Sequence, residues 1–152
     1  MKYIRLNEQV RVLWIDALCI NQQDVSERNH QVSQMGRIYQ SATGVLAWLG
    51  LLDDSSIVAI EYLSEFGMEL EELRRLNTDA FDIYKKIKAI TSFCTRDYWS
   101  RLWIIQELVV ASRVTLHCGT WSSDWALISS FVTNAGGRII VPRTICTLIE
   151  IA

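Results

Sequence analysis

The run Gln9-Val-Arg-Val-Leu-Trp-Ile-Asp16 constrains the fold most. Val10, Val12, Leu13, Trp14 and Ile15 follow one another almost without interruption and close on an acid. That pattern predicts a strand buried on both faces of a parallel sheet, with the acid at its C-terminal end. Thr43 to Gly50 (TGVLAWLG) and Arg113 to Gly119 (RVTLHCG) read as two further short strands, each ended by glycine. On the third, His117 and Cys118 are neighbours, so they face opposite sides and cannot form a catalytic pair. A helix belongs between the first two strands, making a β-α-β crossover of right-handed sense.

The remaining punctuation is helical. Asp24 and Glu27 have capping-box spacing. They predict a helix over about Val25–Gln40 with Val32, Met35, Ile38 and Tyr39 inward. Asp53-Asp-Ser-Ser56 caps a helix running to about Leu76. A further helix covers Ala80–Cys94, with Phe81, Tyr84, Ile87, Ile90 and Phe93 inside. The Glu-rich outer face after Glu61 and the Lys85, Lys86, Lys88 group read as solvated charge. Ser100 is expected to cap a helix to Ala111, with Leu102, Ile105, Leu108 and Val109 buried and Arg101, Gln106 and Glu107 set among them. Trp121–Trp125 reads as a turn that caps a last helix to Asn134, which Gly136-Gly137 ends. The expected whole is one domain, residues 1–152. Its fold class is α/β, with three or more mostly parallel strands, helices between them, and an edge or central strand lacking.

Composition narrows the function. A net charge of −2 with scattered Lys and Arg gives no footing for nucleic acid. No apolar run reaches the roughly 20 residues of a membrane span, and the first residues lack a signal-peptide core. The four cysteines show no C-x-x-C spacing, so no metal site is expected; they read as reduced, buried thiols of a cytoplasmic protein. Six tryptophans mark the core and its rim.

Several blocks occur together in order: LWIDALCINQQD (Leu13–Asp24), Glu27-Arg28, QVSQMGRIYQSA (Gln31–Ala42), Trp48-Leu-Gly50 and RDYWSRLWIIQEL (Arg96–Leu108). This set resembles the fungal heterokaryon-incompatibility (HET) domain over roughly residues 10–120. The family usually opens with an upstream strand ending in a Ser-Tyr-x-Trp-Gly block, which does not appear here. The resemblance implies a module that triggers cell death when genetically different fungal cells fuse, working by self-association or with other proteins of an incompatibility system. The HET domain is distantly similar to the TIR domain, many members of which cleave NAD at the nicotinamide–ribose bond, and this similarity implies a small three-layer, flavodoxin/TIR-like fold with a mostly parallel sheet, flanking helices and an N-terminal strand missing. The helix W-C-L-D-E-L that carries the catalytic glutamate of plant-type TIR domains is similar to Trp103-Ile-Ile-Gln-Glu-Leu108. That similarity implies Glu107 as the catalytic acid and NAD as a substrate, with no bound cofactor.

Such chemistry makes sense for these residue types. Loss of nicotinamide passes through an oxocarbenium-like ribosyl cation, which a carboxylate stabilises. Ser100 and Arg101, at the expected helix N-terminus, suit a pyrophosphate. Trp99 or Trp14 suits a flat base, with Trp103 beside the acid. Asp16, Cys19 and Asn21 lie beyond a strand end, where α/β sheets bind ligands. Structural roles compete: Glu107 as an exposed acid or the partner of Arg101 or Arg113, Arg101 pairing Asp16 or Asp97, Asp16 fixing a loop, Asn21 shaping a turn, and Trp103 in the core.

Overall fold

The computed structural model describes residues 2–5, 8–65, 79–101 and 103–135. The expectations for Leu102, for the helix beyond Glu65, for Gly136-Gly137, for Cys146 and for the C-terminal stretch lie outside the described residues.

After a 3₁₀ turn at Lys2–Ile4 come α1 (Asp16–Cys19), α2 (Val25–Ser41), β1 (Val45–Trp48), α3 (Asp54–Glu65) and α4 (Ala80–Cys94). A second 3₁₀ turn (Asp97–Ser100) leads to α5 (Ile104–Val109), β2 (Val114–Cys118), β3 (Trp121–Asp124) and α6 (Trp125–Ala135). Side-chain capping starts α2 where the sequence places it: Asp24 accepts from the amides of Ser26 and Glu27 at 2.9 and 3.0 Å. Glu27 does not return to Asp24. It accepts the amide of Asn21 at 3.0 Å and pins the preceding loop. Asp53 caps α3 by accepting from the Ser56 amide at 2.7 Å.

The sheet order is β1-β2-β3. Val45 to Trp48 run parallel to Val114 to His117, and Thr115 to Cys118 run antiparallel to Trp121 to Asp124. The architecture is therefore mixed α/β, with one parallel and one antiparallel strand pair, and several expectations are corrected. Residues 10–15 form no strand, and Asp16 already belongs to α1; Val10 and Val12 are 95% and 92% exposed, because among the described residues no neighbouring strand completes their backbone hydrogen bonds or covers their side chains. The β-α-β crossover expected to start from them is absent with them. Trp121–Asp124 is a strand, not a turn, because Gly119 takes φ +56° and folds the chain back in two residues. A Cβ at Gly119 would lie 2.9 Å from the Leu52 side chain, so the tight turn also needs glycine for space.

The core lies between the sheet and the α3–α4 pair. Ala59 and Leu63 of α3 meet Ile90, Phe93 and Cys94 of α4, with Ala47, Trp99, Ile104, Leu116 and Ile128 around them. The inner face of α4 is shorter than expected. Phe81 and Tyr84 are exposed at 73% and 63%, and burial begins only at Ala89. Lys86 is not merely solvated: it bridges Glu65 of α3 and Asp82 of its own helix, both at 3.3 Å. Cys94 and Cys118 are buried as small hydrophobes, whereas Cys19 is exposed, because α1 has no covering layer.

Candidate functional site

The helix expected from Ser100 is broken, and the break makes the site. Ser100 ends the 3₁₀ turn and its hydroxyl donates to the Asp97 carbonyl at 2.8 Å, so it caps nothing. Arg101 is extended (φ −71°, ψ 137°), and α5 starts only at Ile104. In one continuous helix, positions six apart point about 120° away from each other. Here the extended residue swings the Arg101 guanidinium to 3.1 Å from Glu107.

Glu107 is 5% exposed and the one buried charged side chain among the described residues. A buried carboxylate needs partners, since desolvation otherwise outweighs its attractions. It has three. The Tyr98 hydroxyl donates to Oε2 at 2.9 Å, the Tyr39 hydroxyl donates to Oε1 at 3.3 Å, and Arg101 completes the set at Oε1. Tyr39 comes from α2 and Tyr98 from the second 3₁₀ turn, so the carboxylate ties three segments together. Burial, and then the neighbouring Glu107 charge, push both phenols far above the ordinary tyrosine value. Both therefore stay protonated and able to donate. The Arg101 guanidinium lies over the Tyr98 ring, 5.5 Å from its centroid.

The structure brings some predicted residues to this cluster and removes others. Asp16 is close enough for its charge to act on Tyr39, while its carboxylate Oδ1 accepts the Ala17 amide at 2.7 Å. Trp14 meets Tyr39 edge-on at 6.4 Å. Asn21 shapes a turn, accepting from the Gln23 amide at 3.1 Å. Cys19 accepts from the Ile15 amide at 3.5 Å. Trp103 is half-buried at the start of α5, and its carbonyl takes the Glu107 amide at 3.1 Å. Trp99 is not available to a base. It is 1% exposed, its indole N–H donates to the Phe93 carbonyl at 3.0 Å, and it packs on Tyr98 and Trp125. Sequence reasoning missed Tyr98, and placed Tyr39 only on an inner face. The available signal was a tyrosine in each of two motif blocks, QVSQMGRIYQSA and RDYWSRLWIIQEL.

Beside the cluster, Tyr98 and Arg101 form part of the wall of a surface cleft of about 600 Å³ that also includes Trp48, Ser92, Arg96 and Asp97. Among the described residues no group of His, Cys, Asp and Glu could hold a metal ion, and no helix is long and apolar enough to cross a membrane.

The strength of the carboxylate's bonds is measurable. Tyr98→Phe removes a buried charge-assisted hydrogen bond and is expected to lower stability by about 1.5–3 kcal/mol. Tyr39→Phe, longer and half-exposed, is expected to lose less. Urea midpoints at unchanged m-value read both; equal, negligible shifts would show that the phenols do not hold the carboxylate.

Among the described residues, then, a mixed α/β module surrounds one buried carboxylate. The profile of the family described as heterokaryon incompatibility protein (HET) matches residues 1–107. The chain belongs to this HET family. It is 33% identical over 167 residues to heterokaryon incompatibility protein 6, OR allele, of Neurospora crassa. That alignment covers 91% of this chain and 24% of the relative, so the chain spans about a quarter of the relative's length. No solved structure matches.

Proposed function

We propose that this chain is the incompatibility module of a larger cytoplasmic fungal protein, and that it triggers cell death by cleaving NAD at the nicotinamide–ribose bond. The incompatibility role is supported by the family and by the Neurospora relative, a heterokaryon incompatibility protein. The chemistry is supported by one observation: among the described residues a single carboxylate, that of Glu107, is buried, next to a guanidinium and two phenols. Stability alone does not call for it, because a well-packed apolar substitute commonly serves as well or better. Buried, specifically partnered charges concentrate where chemistry is done. In this reading Glu107 faces the ribosyl cation as it forms, the two tyrosines keep its carboxylate oriented, and Arg101 carries charge toward the cleft.

A second reading has its own observation. The Glu107 oxygens already accept three bonds, while the apolar Val10, Val12 and Leu18 stand in solvent. That combination suits a non-enzymatic module acting by self-association or partner binding.

Nicotinamide release from NAD by the full chain at high concentration separates the two. The first reading expects turnover that Glu107→Gln lowers by about 100-fold or more. Equal rates for the folded pair, or none from either, would reject it. The second reading expects Glu107→Gln to kill cells undiminished and Val10→Asp with Val12→Asp to abolish killing.

A further inference from the structure

The partners of Glu107 are unequal. Tyr39 and Tyr98 are rooted in packed elements, and Tyr98 is buried. Arg101 stands on an extended residue between a 3₁₀ turn and α5, and its side chain is 43% exposed. It can leave the carboxylate by side-chain rotation alone, and Glu107 then keeps both phenolic donors. The space that Arg101 would vacate has a defined chemistry: an aromatic floor, the Tyr98 ring at 5.5 Å, and a carboxylate end wall at 3.1 Å. These walls suit a planar cation, and the guanidinium they now hold is one.

We propose that this space is a socket for a flat cationic ring, and that Arg101 is its internal occupant, displaced when a pyridinium nucleotide enters. The inference rests on the reading of Glu107 as the acid of NAD cleavage, and it names how the site is opened. The entering ring restores the positive charge beside Glu107, so the carboxylate is not left buried and uncompensated. Arg101 moves into the cleft that it already lines and meets the ligand's diphosphate there. The socket thereby favours the oxidised nucleotide over the reduced one, because the two carry the same phosphates and only the oxidised ring is charged. Tyr98 acts as the platform and as a positioning residue for Glu107.

Carbodiimide-driven amide coupling to the Glu107 carboxylate, read by peptide mass spectrometry on the full chain, tests this. Wild type is expected to couple slowly. Arg101→Ala should couple about five- to tenfold faster, the gain that losing a part-exposed ion pair allows. Arg101→Lys should fall between them, because an ammonium pairs the carboxylate but leaves the Tyr98 face open. NAD+ should protect Glu107 in both variants, 1-methylnicotinamide should protect at higher concentration, and NADH should not. If Arg101→Ala fails to fold by circular dichroism, Arg101→Lys carries the comparison. Coupling of the folded variants at the wild-type rate, or equal protection by NADH and NAD+, would overturn the socket. The readout needs no turnover. Protection without nicotinamide release keeps the socket and rejects the chemistry, while release without discrimination between NAD+ and NADH does the reverse.

Discussion

Trp99→Ala is expected to lower the unfolding free energy by about 3–5 kcal/mol, the range for emptying a buried aromatic site. Trp99 sits where the second 3₁₀ turn meets α4 and α6. Its ring packs 5.3 Å from Tyr98 and 5.8 Å from Trp125, and its indole N–H satisfies the Phe93 carbonyl. Truncation leaves a cavity and an unpaired carbonyl together. It also loosens the ring of Tyr98, whose hydroxyl holds Glu107. Trp99→Phe keeps most of the volume but not the hydrogen bond, and should lie between wild type and alanine. Urea titration followed by far-ultraviolet circular dichroism reads the series; a loss under about 1 kcal/mol for alanine would contradict this view of the core.

Arg96→Ala should come second, at about 3 kcal/mol, because one guanidinium closes several bonds at once. Arg96 Nη1 donates to the Leu49 and Leu51 carbonyls at 2.8 and 3.0 Å and approaches the Cys118 sulfur at 3.4 Å. Nη2 donates to Asp53 at 2.9 Å and to the Ser56 hydroxyl. These contacts hold residues 49–53, the connection from β1 to α3, against the base of α4. Gly50 (φ +106°) turns the chain there, and its carbonyl takes the Gly119 amide at 2.8 Å. The Asp53 carboxyl is held below the usual range, first by Ser56 and less by Arg96. Since Asp53 is largely exposed, most of the loss should come from the carbonyls and not from the ion pair. Arg96→Lys keeps the charge but not the fork, and is expected to recover less than half. Full recovery in lysine would assign the effect to charge alone.

Much of the chain was legible in order. The cap at Asp24 and the 3.6-residue spacing behind it set α2, and the bounds Ala80–Cys94 are those expected. The short apolar runs ending at Gly50 and Gly119 are β1 and β2. These features are local: a cap, a period or a glycine acts within a few residues of itself. The failures are not local. Val10–Ile15 has the composition of a buried strand, but a strand exists only against a neighbour, and none of the described residues supplies one. Trp121–Asp124 carries no strong strand pattern, yet pairing with β2 makes it one.

The site divides in the same way. The sequence by itself determined that an acid stands at position 107 in an apolar helix, near an arginine and several aromatic residues. It also determined the family, because the motif blocks are a property of order and spacing. Only the tertiary structure decided that Glu107 is buried, that Arg101 is its counter-ion, and that Tyr39 and Tyr98 are its donors. Tyr39 lies 68 residues from Glu107. Arg101 reaches it only because the chain is extended at one residue. Neither the packing of α2 on α5 nor that break is written in any local pattern. Both follow from how the elements bury their apolar faces together.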